Sequence, residues 1–359
     1  MIFNAYAVLA IFVGLLELAL GVWVVCLTGT ALARRRTAFT AVAPVHTDES
    51  RASLLLLLAF ALLGASVASW PLLYLLLASY IPEWLGVMCV QGVSRVGTGS
   101  EGAGGWLPTL VRTLEFTKPA LVFAAGAWLV LHVANRRTRT SPLEGRVLGA
   151  LLVVGLLATL DAGTQLAYVG IPKKERFLAA GCCVVPTEFA DRTTSPGFPV
   201  GGSAPDAPER KALVVAFYAL SGVLVVGTRW ASVRSDRAGQ PTVPGARAGW
   251  SSDALTLAAF AALPVAVLFL SNVAAPAFLG QPDHRCAHCL LTKSPLGVAV
   301  MASYLVGAFA TGWAGVVDRF ASSAETASFV PPERRRLLDL GTLGYLAALV
   351  LLTGRLLVA

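Results

Sequence analysis

Cys286-Ala-His-Cys289 is the stretch of this chain with the plainest capacity for chemistry. Two cysteines separated by two residues can form a strained, redox-active disulfide. Where such a pair opens a helix, the helix dipole and a neighbouring imidazole favour the thiolate of its first member. His284 and His288 flank the sulfurs, so residues 284–289 also offer four soft or borderline metal ligands.

A second group of sulfurs lies upstream. Cys182 and Cys183 are adjacent and follow Gly181. Neighbouring cysteines rarely bond to each other, and they suit pairing with other cysteines or chelation of Hg(II), Cu(I) or Zn(II). Cys89, in Gly86-Val-Met-Cys-Val, could complete a three-sulfur site with them, or one disulfide with a thiol left over. The sixth cysteine, Cys26, reads as inert packing in an apolar helix.

The elements that must position these sulfurs are membrane helices. Of 359 residues, 56% are hydrophobic and 13% charged, with a mean hydropathy of +0.71. A soluble chain would carry about 25% charged residues. The apolar residues fall in blocks of about 20, the length that crosses roughly 30 Å of hydrocarbon. We read eight spans, over residues 6–33, 53–80, 107–135, 147–170, 211–230, 253–279, 295–317 and 337–358. They make an all-α, polytopic helical bundle, read as a single transmembrane domain over residues 1–359 with no internal repeat visible by eye.

Arg112, Glu115 and Lys118 interrupt the start of the third span. They predict an interfacial turn over residues 108–118 and a membrane core over 119–133. Pro71 and Pro264 predict kinks in spans two and six. The first block lacks a preceding basic segment and ends in Arg34-Arg35-Arg36, which predicts a retained helix and not a cleaved signal.

Arginine placement orients the bundle. Loops 34–51, 136–146, 229–247 and 319–336 hold four basic residues each, 16 of the chain's 28. That makes this set cytoplasmic and both termini external. Loops 81–106, 171–210 and 280–294, which carry Cys89, Cys182, Cys183, Cys286 and Cys289, then face the periplasm or its equivalent, where disulfides persist. The net charge of +8 resides mostly in arginine clusters beside apolar blocks, so it orients helices and implies no nucleic-acid partner. No Walker-type phosphate loop is present, which argues against ATP-driven transport.

Inside the membrane, Asp161 stands out in Leu157-Ala-Thr-Leu-Asp161-Ala-Gly-Thr-Gln165. A carboxylate in lipid costs at least about 2.5 kcal/mol, so it must face the interior, paired or protonated. Asp161, Gln165 and Asn272 could outline a polar pocket, with Asn272 a candidate partner of Asp161. Its functional reading is a proton relay, and its structural reading is a helix–helix hydrogen bond. Trp70, Tyr74, Tyr80, Trp84 and Trp106 read as an interfacial aromatic belt.

At Cys286–Cys289 the chain resembles two families of membrane thiol oxidoreductases, the bacterial inner-membrane disulfide-bond oxidase and the vitamin K epoxide reductase family. The resemblance implies that Cys286 and Cys289 are a quinone-proximal pair. It also implies that Cys182, Cys183 or Cys89 exchange electrons with a periplasmic thioredoxin-like partner. The match covers about a dozen residues, and those families usually have four or five spans. Gly181-Cys182-Cys183 resembles the vicinal pair of bacterial mercuric-ion transport proteins. The whole arrangement is similar to multispan bacterial membrane proteins with a Cys-x-x-Cys-Leu-Leu stretch after a late helix.

Three readings follow. The first is a thiol-disulfide redox protein of the bacterial inner membrane, passing electrons between periplasmic thiols and membrane quinone. The second is a protein that binds or transports a soft metal (Zn, Cu or Hg) through Cys286, Cys289, Cys182 and Cys183 with His284 and His288. The third is a structural accessory subunit whose external loops are braced by disulfides. Only the first would make it an enzyme.

Overall fold

The computed structural model describes residues 4–38, 49–83, 87, 89–96, 105–172, 207–237, 251–280, 285–323 and 325–358. Eight helical stretches are long and apolar enough to cross a membrane: Ala5–Arg35, Ser53–Glu83, Leu107–Arg136, Glu144–Gly170, Pro208–Arg234, Ser252–Leu279, Pro295–Phe320 and Val330–Val358. No strand occurs among the described residues. The chain is therefore all-α and polytopic, as its hydropathy predicts. Large apolar side chains such as Leu57, Phe116, Val226 and Leu343 lie exposed on the outer faces of these helices. That distribution suits lipid contact and would be unfavourable in water.

Helix packing groups the chain into two compact units, residues 1–180 and 181–359. In the first, α1 (Ala5–Ala38) packs along α5 (Glu144–Gly170) and α2 (Glu49–Ser79), and α5 packs along α4 (Leu107–Arg136). A short helix, α3 (Val90–Arg95), lies between α2 and α4 in sequence. Val87, Val90, Val93 and Val96 seat it in an apolar core with Leu73, Leu77, Leu107 and Leu114.

The second unit repeats this order. Its four long elements are α6 (Ala207–Arg237), α7 (Ser251–Phe269) with its extension α8 (Ala275–Leu279), α10 (Pro295–Phe320) and α11 (Val330–Val358). The short α9 (Ala287–Lys293) again falls between the second and third of them. In each unit a cysteine is the N-cap of the short helix, Cys89 for α3 and Cys286 for α9. In each, too, the third long helix opens with proline at its first or second position. The sequence shows no such repeat by eye, because what recurs is element order and cap position, not residue identity.

The third span is one unbroken helix from Leu107 to Arg136, so residues 108–118 are not a separate interfacial turn. Helices α2 and α7 also continue through Pro71 and Pro264. Span six also carries an irregularity at Leu270–Ala274, a turn of π-helix just before Pro276. Proline supplies no amide to the preceding turn, and one widened turn accommodates the lost hydrogen bond. Gly280 then ends α8 at φ +64, a left-handed conformation that glycine adopts without penalty.

In the second unit, α10 and α11 approach through small residues, as the sequence of residues 302–315 permits. A Cβ added at Gly344 would lie 2.6 Å from the Gly307 amide nitrogen and 2.8 Å from the Ser303 carbonyl oxygen. Both are backbone atoms and cannot turn aside. Gly344→Ala is expected to destabilise the protein by about 1–3 kcal/mol, the usual range for overpacking. A lowered thermal midpoint in detergent checks it, and an unchanged midpoint would show the helices can separate without loss.

Candidate functional site

The cysteine pair is held by the packing around α9. Leu290, next to Cys289, is buried in the core of the second unit with Val273, Phe278 and Val300. Gly297 makes room for it, since a Cβ there would meet the Leu290 side chain at 2.7 Å. Ser294 ends α9 and caps α10, accepting a hydrogen bond from the Gly297 amide at 3.1 Å. With its far end fixed, α9 presents its first turn as a rigid platform.

On that platform Cys286 is the N-cap in extended conformation, and its sulfur accepts a hydrogen bond from the Cys289 amide at 3.4 Å. The Sγ atoms of Cys286 and Cys289 lie within 4.8 Å of each other. Both residues are thiols and both are buried, at 1% exposure. The N–H···S contact sets partial positive charge against the sulfur that becomes negative when it loses its proton. The arrangement suits reversible disulfide formation. His288 is half-buried on the same short helix.

The other predicted site residues are distributed as follows. Cys89 belongs to the first unit, is buried and is disulfide-bonded. Cys182, Cys183, His284 and Trp84 also lie outside the described residues. Cys26 is exposed on α1 and faces outward, so it does not pack inside the bundle as expected. Cys26→Ser is expected to leave stability within about 0.5 kcal/mol. Equal thermal midpoints for variant and wild type would confirm it. Of the aromatic belt, Trp106 is exposed, but Tyr80 is buried with its ring 6.5 Å from that of Tyr168.

Asp161 is buried and paired, but not with Asn272. Its Oδ2 accepts from Lys118 Nζ at 2.7 Å and its Oδ1 from Thr117 Oγ1 at 2.5 Å. Asn272 instead donates to the Leu268 carbonyl one turn back, in the π-helical stretch of span six. Lys118 also donates to Ser69 Oγ at 3.0 Å and to Gln165 Oε1 at 3.2 Å. All three ammonium donors are thereby used. Gln165 turns its amide nitrogen to the Ala10 carbonyl of α1, 3.1 Å away.

The chain matches no protein-family model, no curated protein and no solved structure.

Two residues of this cluster are not evident from the sequence. Lys118 reads there as interfacial, and Glu17 of α1, fully buried with Ser66 Oγ donating to its Oε1 at 2.6 Å, does not stand out. Depth along the helices is the signal that would find Lys118. It lies eleven residues from the start of α4, and Asp161 lies nine from the end of α5, about 16 and 14 Å in at 1.5 Å per residue. On the predicted topology those two helix ends share a membrane face, so the charges share a level. Glu17, midway along the first apolar block, is found by the same measure.

Proposed function

We propose that the protein is a membrane thiol-disulfide oxidoreductase whose working pair is Cys286 and Cys289, acting at the external face of a bacterial inner membrane. The observation that carries this reading is the geometry of the pair: a capping thiol under a helix amide, a second thiol within 4.8 Å, and a buried, packed frame around both. A pair that only clipped a loop would need no thiol cap, and a pair that only filled space would need no second sulfur.

The reaction balances simply. Conversion of the Cys286–Cys289 dithiol to a disulfide releases two electrons and two protons, and a membrane quinone accepts all four to become a quinol. Reduction of the pair returns two electrons and two protons from a dithiol donor, which leaves as a disulfide. In this reading the Cys89 disulfide is the second redox pair, the one that exchanges with a soluble thioredoxin-like protein outside the membrane. Burial of Cys286 and Cys289 limits direct attack by water-borne thiols.

An equilibrium titration of the purified full-length protein against a dithiol/disulfide buffer tests this. The two thiols are expected to disappear together with the slope of a two-electron couple, about 30 mV per tenfold change in ratio. A pair that stays dithiol, or stays bonded, over the whole accessible range would overturn the proposal. Stoichiometric zinc or copper in the purified protein would favour the metal-binding reading.

A further inference from the structure

The buried cluster of the first unit holds a second carboxyl group beside the Lys118–Asp161 ion pair. Lys118 and Asp161 balance each other, and the three ammonium donors are already committed to Asp161, Ser69 and Gln165. Glu17 is a second carboxyl group in the same buried cluster, in the span with the highest mean hydropathy of the chain, 2.5. Its Oε1 receives a hydrogen bond from Ser66 Oγ. Its buried Oε2 has no hydrogen-bond partner among the described residues.

A carboxylate whose donors are the neutral hydroxyls of Ser66 and Ser69, at membrane depth, is far costlier than a neutral acid there. A proton on Glu17 removes that cost. Ser66 touches Glu17. Ser69, one turn along α2, donates to the Ser66 carbonyl at 2.9 Å and accepts from Lys118 at 3.0 Å. The charged groups whose fields reach Glu17 are Asp161 from α5 and Lys118 from α4. The polar groups on the facing side of α2, Ser66 and Ser69, are neutral.

We propose that Glu17 is an intramembrane proton-binding site, a neutral acid beside the buried Lys118–Asp161 pair whose proton is exchangeable. The ligand is the proton itself. This goes beyond the thiol chemistry and does not depend on it, since every residue involved lies in the first unit. A static hydrogen-bonded acid would hold the helices together equally well, so exchange is the property that separates a binding site from glue.

Infrared difference spectroscopy on the detergent-solubilised full chain tests it. The carbonyl stretch of a protonated carboxylic acid is expected in wild type, absent in Glu17→Gln, shifted within minutes of transfer to deuterated water, and reversibly lost at alkaline pH. Identical wild-type and variant spectra would overturn the proposal. So would a band that keeps its proton for hours in deuterated water. A second measurement needs no variant: dicyclohexylcarbodiimide, an apolar reagent for protonated carboxyls, should label Glu17 and spare the ion-paired Asp161. That labelling should fall about tenfold for each pH unit above its midpoint. No label on Glu17 at acid pH, or equal label on both residues, would contradict it.

Discussion

Cys286→Ser is expected to abolish disulfide cycling while leaving the fold in place. Serine is among the best N-cap residues, so the variant keeps the cap of α9 and its oxygen can accept the Cys289 amide as the sulfur does. What it loses is the only atom within reach of Cys289 on that helix that can form a bond to sulfur. Electron transfer to a quinone should drop to the rate seen without protein, with helix content and thermal midpoint close to wild type. Cys289→Ser should behave differently. It keeps the thiol under the helix amide, so it can exchange with a small disulfide, releasing one small thiol, to form a mixed disulfide that it cannot resolve. Mass spectrometry of the two variants after incubation with a small disulfide separates the cases. Cycling that persists in Cys286→Ser would remove this pair from the chemistry.

The second large effect lies in the first unit. Lys118→Met leaves the carboxylate of Asp161 buried without its counter-ion, retaining only the hydroxyl of Thr117. Breaking a buried pair from one side typically destabilises by about 3–5 kcal/mol, because the remaining charge keeps its desolvation penalty and loses its compensation. Lys118→Met is therefore expected to express poorly or melt far below wild type. Lys118→Met combined with Asp161→Leu removes both charges and should recover much of the loss, since apolar replacements of a buried pair are often close to neutral. Thermal midpoints of the two singles and the double in one detergent give the coupling. Additive losses would mean that the two groups do not depend on each other.

How much of this is legible in the sequence varies with the kind of signal. The eight spans are, because a run of about 20 apolar residues has the length of a bilayer and little use elsewhere. Asp161 is, because one acid in an apolar block is conspicuous. Its partner is not: Lys118 follows Arg112 and Glu115, and three charges in seven residues resemble an interface even when the last of them points into the bundle. Glu17 hides for the opposite reason, as a single acid inside so apolar a block that the block's average conceals it. The shared order of the two units depends on a short helix at the same place in each. Helices of six and seven residues carry too little periodicity to be read from a sequence. The Cys286–Cys289 motif is plain, but the capping role of Cys286 needs geometry, which the extended backbone at Cys286 and the Cys289 amide contact supply.

The pairing of Cys286 with Cys289 as an electron-passing couple can be tested by mass-tagging their thiols in the purified full-length protein, before and after a soluble quinone is added. Both tags should be lost together as quinol appears, one quinol per pair, and both should return when a dithiol reductant follows. Tags that stay on both sulfurs while the quinone remains oxidised would contradict the redox assignment at its root.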